Sequence, residues 1–488
     1  MSIPFWVTAF AIAAWSAAAA WINPAQYADN LEQFSWSHSL ELGYWKHPPL
    51  PTWLISIPIR LIGFSVYWTY ALAPICFIGT VFFTWRIARR MFGEQAATFT
   101  VLLLGLHIGF SWRAQLYNHN TVLLLFTSAT VWATMQALDA DKKSAWAHRG
   151  SWVLAGALAG LAMLSKYQAL VPLIGIVIAL YLGGHFKQAS VRQGAALASM
   201  TALLVFMPHL IWIVTGSGST IDNALQTAEG LILPQRFKNL FQFLSVQMRF
   251  HFPILIAVAM LVLAKSGGSQ ESTASTSLNK QSRAWLIGLV AWPALFVSLV
   301  VLTGGVRLQA QWGLQTFQFL TILIGWRLSI VLAEQTVRRS VCVVLIAQVV
   351  LASFFAWSVM EPSQKIWQSE RSRNFPAAWF AKVVSSKWYQ ATSCDLKYVV
   401  GPSFEATIVS SYSGHNPIVL EDGDFRKEPW VTNELLKAKG AIYLAYAVGG
   451  LPAEVIASGQ VLIPARENDF QPARQIFWGV VLPQAMCP

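Results

Sequence analysis

Two carboxylates three residues apart open the chemistry that this sequence offers. Asp29 and Glu32 begin the segment Asp29-Asn-Leu-Glu-Gln-Phe-Ser-Trp-Ser-His-Ser-Leu-Glu-Leu-Gly-Tyr-Trp-Lys-His-Pro-Pro-Leu, which follows the first long apolar run. On a helix this spacing puts both acids on one face. A carboxylate pair at a water–lipid boundary either takes a proton from an attacking hydroxyl or, with Asp29 as ligand, holds a divalent metal such as Mg, Mn or Zn. The competing reading is an interfacial helix with ordinary solvated acids, lying along the membrane with Phe34 and Trp36 partly in lipid. Lys46-His47-Pro48-Pro49-Leu50 then ends the segment and turns the chain into an apolar stretch.

Five cations also stand near the ends of apolar runs: Lys46, Arg113, Lys166, Arg249 and Arg307. Charge at such a boundary is costly unless paired or wet. Each is therefore either functional or a snorkelling or topology residue. Lys166 is the most pointed case, because only Ser165, Lys166, Tyr167 and Gln168 separate one apolar run from the next. His119 and His251 lie near span ends but lack partners at metal-ligand spacing.

The elements that must position these residues are membrane helices. Of 488 residues, 55% are hydrophobic and 11% charged, about half the charge of a soluble chain of this length. The 23 Trp and 29 Phe suit membrane interfaces. Apolar stretches long enough to cross a bilayer predict about eleven spans, near 4–22, 67–85, 95–112, 119–138, 151–165, 168–183, 194–214, 251–264, 284–303, 313–331 and 340–357. The first lacks a basic n-region and reads as a retained helix rather than a signal peptide. The 215–250 stretch reads as a long outer loop and 266–282 as a Ser/Thr-rich linker.

The net charge of +12 does not indicate nucleic-acid binding. Residues 358–488 hold 12 Lys+Arg and 12 Asp+Glu, so the excess belongs to the membrane region. Five short loops carry 14 Lys+Arg, and the alternate loops carry eight over much more chain. The positive-inside rule then places the N-terminus in the cytoplasm, with the 23–66 loop and the C-terminal region on the far side.

Residues 1–358 thus read as a membrane domain and 359–488 as a soluble α/β domain. Strand-like runs fall at 397–400, 406–409, 418–420, 441–444 and 460–463, with helical stretches at 375–387 and 430–439. Cys76 and Cys342 lie in apolar runs and read as packing residues. Cys394 and Cys487 either form a disulfide outside the cytoplasm or stay free thiols.

The first loop resembles that of the C-type, multi-spanning glycosyltransferases, which include protein O-mannosyltransferases and the bacterial aminoarabinose and galacturonic acid transferases of lipid A. Asp29, Gly43, Tyr44, His47, Pro48, Pro49 and Leu50 carry the match, while Asn30 replaces the family's second acid and Lys46 replaces an acid that often precedes the His. Gly160-Leu-Ala-Met-Leu-Ser-Lys-Tyr167, Gln311-Trp312 and Phe404–Pro417 add weaker matches. The resemblance implies a fold of about eleven helices with a small α/β periplasmic domain in a bacterial inner membrane. It implies transfer, with inversion, of a sugar from a polyprenyl-phosphate carrier to a glycolipid such as lipid A or to a protein, without nucleic acid. Asp29 inherits the catalytic role, with Glu32 in place of the missing acid. Lys46, His47, Lys166, Arg249 and Arg307 are then candidates for the donor phosphate, and Tyr44, Tyr167 and Arg113 for the substrate. Tyr44 and Trp45 either stack on a sugar or anchor the interface. Two other readings stay open. A transporter or lipid flippase would carry ionisable residues in mid-membrane, whereas here charges cluster at span ends. A non-catalytic subunit would explain Asn30 and Asn120 as traces of a decayed site.

Overall fold

The computed structural model describes residues 2–140, 145–217, 230–263, 277–332, 336–360, 375–463 and 474–484. The first helix, α1 (Ile3–Ile22), buries Phe5, Ala9, Ile12, Trp15 and Ala19, whose three- and four-residue spacing makes one apolar face. Its polar groups are satisfied internally, as a lipid-facing element requires. The Ser16 hydroxyl donates to the Tyr70 carbonyl at 2.7 Å, and the Trp15 indole donates to Gln348 at 2.7 Å.

Short helices α2 (Ala28–Trp36) and α3 (Leu50–Leu61) follow, with Pro51 in the first turn of α3, where a missing N–H costs nothing. Next come α4 (Tyr67–Leu106), α5 (His119–Ala140), α6 (Ala145–Ser165), α7 (Leu170–Gly183) and α8 (Ala189–Trp212). Two expected spans are joined in the 40-residue α4, which breaks at Gly93 with φ 86°, a backbone conformation that only glycine adopts freely. Among the described residues seven helices are long and apolar enough to cross a membrane, or eight if the pair Ala310–Thr316 and Leu320–Val331, bent by 54°, counts as one. The expected 168–183 span is a shorter apolar helix. The expected outer loop at 215–250 is largely the start of a 31-residue helix, Leu233–Leu263. Its Asp222 and Glu229, and most of the 266–282 linker, lie outside the described residues.

The helix Thr336–Met360 runs two residues past the expected domain boundary, and the first described helix of the C-terminal domain is Ala377–Ala391. Five strands form one sheet in the order β2-β1-β3-β5-β4: β1 (Tyr398–Gly401), β2 (Ile418–Glu421), β3 (Ala441–Ala445), β4 (Ala457–Ile463) and β5 (Arg474–Val481). β1 runs parallel to both β2 and β3, while β5 is antiparallel to β3 and β4. The expected strand at 406–409 is instead inside the helix Ser403–Tyr412. A parallel β1–β2 pair needs a crossover, and this helix provides it. Cys394 is disulfide-bonded, and Cys487 lies outside the described residues.

The crossover helix packs on α2 and helps bury it. Phe34 and Trp36 are each 1% exposed, so they are interior side chains rather than lipid anchors. The Tyr412 hydroxyl accepts from the Gln26 amide at 2.9 Å, and His38 Nε2 meets the Asn416 carbonyl at 3.1 Å. The C-terminal sheet domain therefore covers the first loop.

Candidate active site

Asp29 occupies the first turn of α2, where a carboxylate is favoured by the helix dipole. Its Oδ2 accepts from Asn118 Nδ2 at 2.9 Å. The same Asn118 caps α5: its Oδ1 accepts from the amides of Asn120 at 2.9 Å and Thr121 at 3.2 Å. Asn120 Oδ1 accepts from Lys166 Nζ at 2.7 Å. Two asparagines on one helix start thus bring the carboxylate of α2 and the ammonium at the α6–α7 break into one polar cradle. The backbone at Lys166 is extended, φ −167° and ψ 142°, which separates the two helices.

Asn30, where the family carries an acid, is wholly buried and structural. Its amide donates to Gln26 at 2.7 Å and to the Gln115 carbonyl at 3.3 Å, and its oxygen accepts from the Tyr117 amide at 3.0 Å. A carboxylate there would lose two donors.

Lys166 is 7% exposed and makes no ion pair among the described residues. Burial brings its pKa down to about 7, partly opposed by the charge of Asp29. An apolar cavity of about 340 Å³ lies between α5, α6, α7 and α8, lined in part by Met163, Leu173, Ile176 and Leu180.

Glu32 and Lys46 form an ion pair. Burial pushes the Glu32 carboxyl up to about 7; Lys46 opposes this, while Asp29 and Glu421 add to it. Burial disfavours the Lys46 ammonium, but Glu32, Glu421 and Asp29 outweigh it and hold the pKa above the ordinary lysine value. His47 is half-buried, its ring centre 3.6 Å from that of His119. Burial, then Lys166 and Lys46, push its pKa well below the ordinary imidazole range, so the ring is neutral.

The 44–47 turn closes through reciprocal backbone bonds, Tyr44 N to His47 O at 3.0 Å and His47 N to Tyr44 O at 3.2 Å. Tyr44 is 1% exposed and stacks on Trp36 at 5.0 Å, with its hydroxyl donating to the Ser39 carbonyl at 2.8 Å. Gly43 leaves room for nothing else: a Cβ would lie 2.5 Å from Trp212 Cε3 and 2.7 Å from the His209 ring. His209 Nδ1 bonds the Leu42 carbonyl at 2.7 Å, so that nitrogen carries the hydrogen and Nε2 accepts from the Tyr167 hydroxyl at 2.7 Å. Tyr44 and Tyr167, expected to meet substrate, thus build the wall of the loop.

The fold brings Asp29, Glu32, Lys46, His47 and Lys166 together. Arg113 is half-buried with its guanidinium 5.8 Å from the Phe250 ring centre. Arg249 and Arg307 are exposed and stand outside the buried cluster. Among the described residues no three His, Cys, Asp or Glu side chains converge to hold a metal ion. Asp29 is engaged by an amide and Glu32 by an ammonium, a donor set that does not fit one.

Residues 46–212 match the family described as dolichyl-phosphate-mannose-protein mannosyltransferase. The lipid A galacturonosyltransferase RgtD of Rhizobium johnstonii is 25% identical over 230 residues, 47% of this chain and 47% of that protein. The lipopolysaccharide core galacturonosyltransferase RgtA of the same organism is 26% identical over 188 residues, 38% of this chain and 36% of that protein. Each match spans less than half the length of the relative. The crystal structure of ArnT from Cupriavidus metallidurans bound to undecaprenyl phosphate superimposes with a TM-score of 0.58 over 99% of this chain and 98% of that one, at 15% identity. The two chains share one fold. The shared frame extends through the C-terminal sheet domain, since the superposition covers 99% of this chain.

Proposed function

We propose that the chain is a glycosyltransferase that moves a sugar from a polyprenyl-phosphate carrier to a hydroxyl of lipid A, lipopolysaccharide core, another glycolipid or a protein. The observation that carries this is the cradle in which Asp29 and Lys166 meet through Asn118 and Asn120. Asp29 accepts the proton of the acceptor hydroxyl, whose oxygen attacks the anomeric carbon. The bond from that carbon to the phosphate oxygen breaks, and the carrier phosphate leaves with the electron pair. Lys166 meets the phosphate, which supplies the anionic partner that the ammonium lacks. A single displacement inverts the anomeric configuration. The apolar cavity between α5, α6, α7 and α8 suits a prenyl tail.

The names of the relatives favour a lipid A or core acceptor. The basic loops support a site on the outer face of a bacterial inner membrane, with a cytoplasmic N-terminus. The test is incubation of the purified protein with polyprenyl-phosphate sugars and lipid A, followed by mass spectrometry. A sugar-sized mass gain on the acceptor, with release of the carrier phosphate, is expected. Intact donor and acceptor with each of the hexose, uronate and aminopentose donors would contradict the reading.

A further inference from the structure

The bent pair Ala310–Thr316 and Leu320–Val331 brings a side chain to the cradle that the transfer chemistry leaves unused. Side-chain bonds pin the bend in place. Gln318 Nε2 donates to the Leu124 carbonyl at 2.8 Å and to Ser128 Oγ at 3.0 Å, both on α5. Gln247 Nε2 donates to the Ala310 carbonyl at 2.9 Å, and the Thr316 hydroxyl donates to the Trp312 carbonyl at 2.9 Å. The half-buried Trp312 is thereby held with its ring centre 5.6 Å from Lys166 Nζ, within cation–π range.

An ammonium has three N–H donors. Among the described residues one of those on Lys166 goes to Asn120 Oδ1, and the ring face of Trp312 stands beside the same nitrogen. An aromatic face attracts a cation through its quadrupole and carries no net charge. It therefore stabilises the ammonium without cancelling it, unlike the Glu32 carboxylate beside Lys46. The titratable groups that face Lys166 are Asp29 from α2, His47 from the first loop and His119 from α5. Because an ammonium only donates, its partner on Asn120 is the oxygen, and Asn120 Nδ2 faces His119 Nε2 at 3.2 Å. That nitrogen then accepts, so the His119 ring is neutral, as is that of His47. Asp29 is the one acid among the three.

We propose that Trp312 is a positioning residue of the phosphate site: its ring face keeps the Lys166 ammonium charged in a buried place and leaves a further N–H donor for the anion. The phosphate in this proposal rests on the glycosyltransferase reading; the Lys166–Trp312 contact does not. Without the ring the ammonium loses its proton at lower pH, so the defect of a Trp312 variant is selective in pH. Well below pH 7 both proteins carry the ammonium and bind alike, and as pH rises the variant loses it first.

The test titrates undecaprenyl phosphate against the purified full chain from about pH 5 to about pH 8. Wild type, Trp312→Leu and Trp312→Phe are compared, each with and without Lys166→Met. Trp312→Leu is expected to bind within about twofold of wild type at about pH 5 and roughly fivefold more weakly at about pH 8. Trp312→Phe keeps a weaker ring face and is expected to lose less. The ionisation of the phosphate itself, near about pH 6, is common to all the proteins compared. Beside Lys166→Met, either Trp312 substitution is expected to change binding by less than about twofold. Equal weakening at every pH, the same loss beside Lys166→Met, or Trp312→Phe no better than Trp312→Leu would each overturn the proposal. Should Trp312→Leu not fold, Trp312→Phe decides alone: loss at about pH 8 without loss at about pH 5 upholds the proposal, and any other pattern overturns it. Melting temperature is read on the same proteins. If wild type binds no undecaprenyl phosphate, a double variant that melts higher than the two single changes add up to upholds the contact and contradicts the glycosyltransferase reading, whereas additive changes overturn the contact.

Discussion

Lys166 is buried against a neutral amide, and Asp29 is the acid whose charge reaches it. An ammonium so placed is stabilised by an arriving anion more than one already paired. Lys166→Met is expected to weaken undecaprenyl phosphate binding by roughly ten- to hundredfold, the range for a charge-assisted hydrogen bond, as measured by titration in detergent. The pH dependence has a definite sign. With the Lys166 pKa near 7, the ammonium is fully present well below pH 7 and is lost as pH rises through it. Affinity should therefore fall by about tenfold per pH unit above about 7, and Lys166→Met should abolish that slope. Asp29, Glu32, Lys46, His47 and Lys166 were legible in the sequence because charge beside an apolar run is expensive and so conspicuous. Asn118 was less so, because capping a helix and holding a carboxylate leave no distinct spacing.

At the scale of elements, the turn that presents Lys46 and His47 depends on Gly43. Its missing Cβ lets His209 and Trp212 close on the loop, and His209 ties Leu42 to Tyr167. Gly43→Ala is expected to destabilise the fold by about 1–3 kcal/mol through overpacking, read as a lower melting temperature, and to displace the 44–47 turn. The apolar runs predicted most helices, since lipid exposure leaves few alternatives for twenty apolar residues. Their count was harder to read, because α4 merges two runs across Gly93 and the 168–183 helix is short. The Ala406–Val409 stretch misled because Ile408 and Val409, β-branched and wholly buried, suit a strand by type. The parallel pairing of β1 with β2 decides for a helix there. β5 was not foreseen, although it is the strand that joins β3 to β4.

At the scale of the molecule, the soluble domain and the first loop form one body around α2. Phe34 and Trp36 lie inside, and Tyr412 and His38 tie the two together. The sidedness inferred from basic loops is open to direct measurement. Leu40 is 49% exposed beside the site, so Leu40→Cys should react with a membrane-impermeant maleimide applied from outside the inner membrane. Labelling from the cytoplasmic side alone would invert the topology.

The central claim is that Asp29 takes the proton of the acceptor. Its most direct test is Asp29→Asn, which keeps the size of the side chain and removes the base. Transfer by the purified variant should fall by at least about a hundredfold, while the melting temperature stays near wild type and undecaprenyl phosphate still binds well below pH 7, where Lys166 keeps its proton. Transfer at the wild-type rate by a folded, donor-binding Asp29→Asn protein would contradict the account.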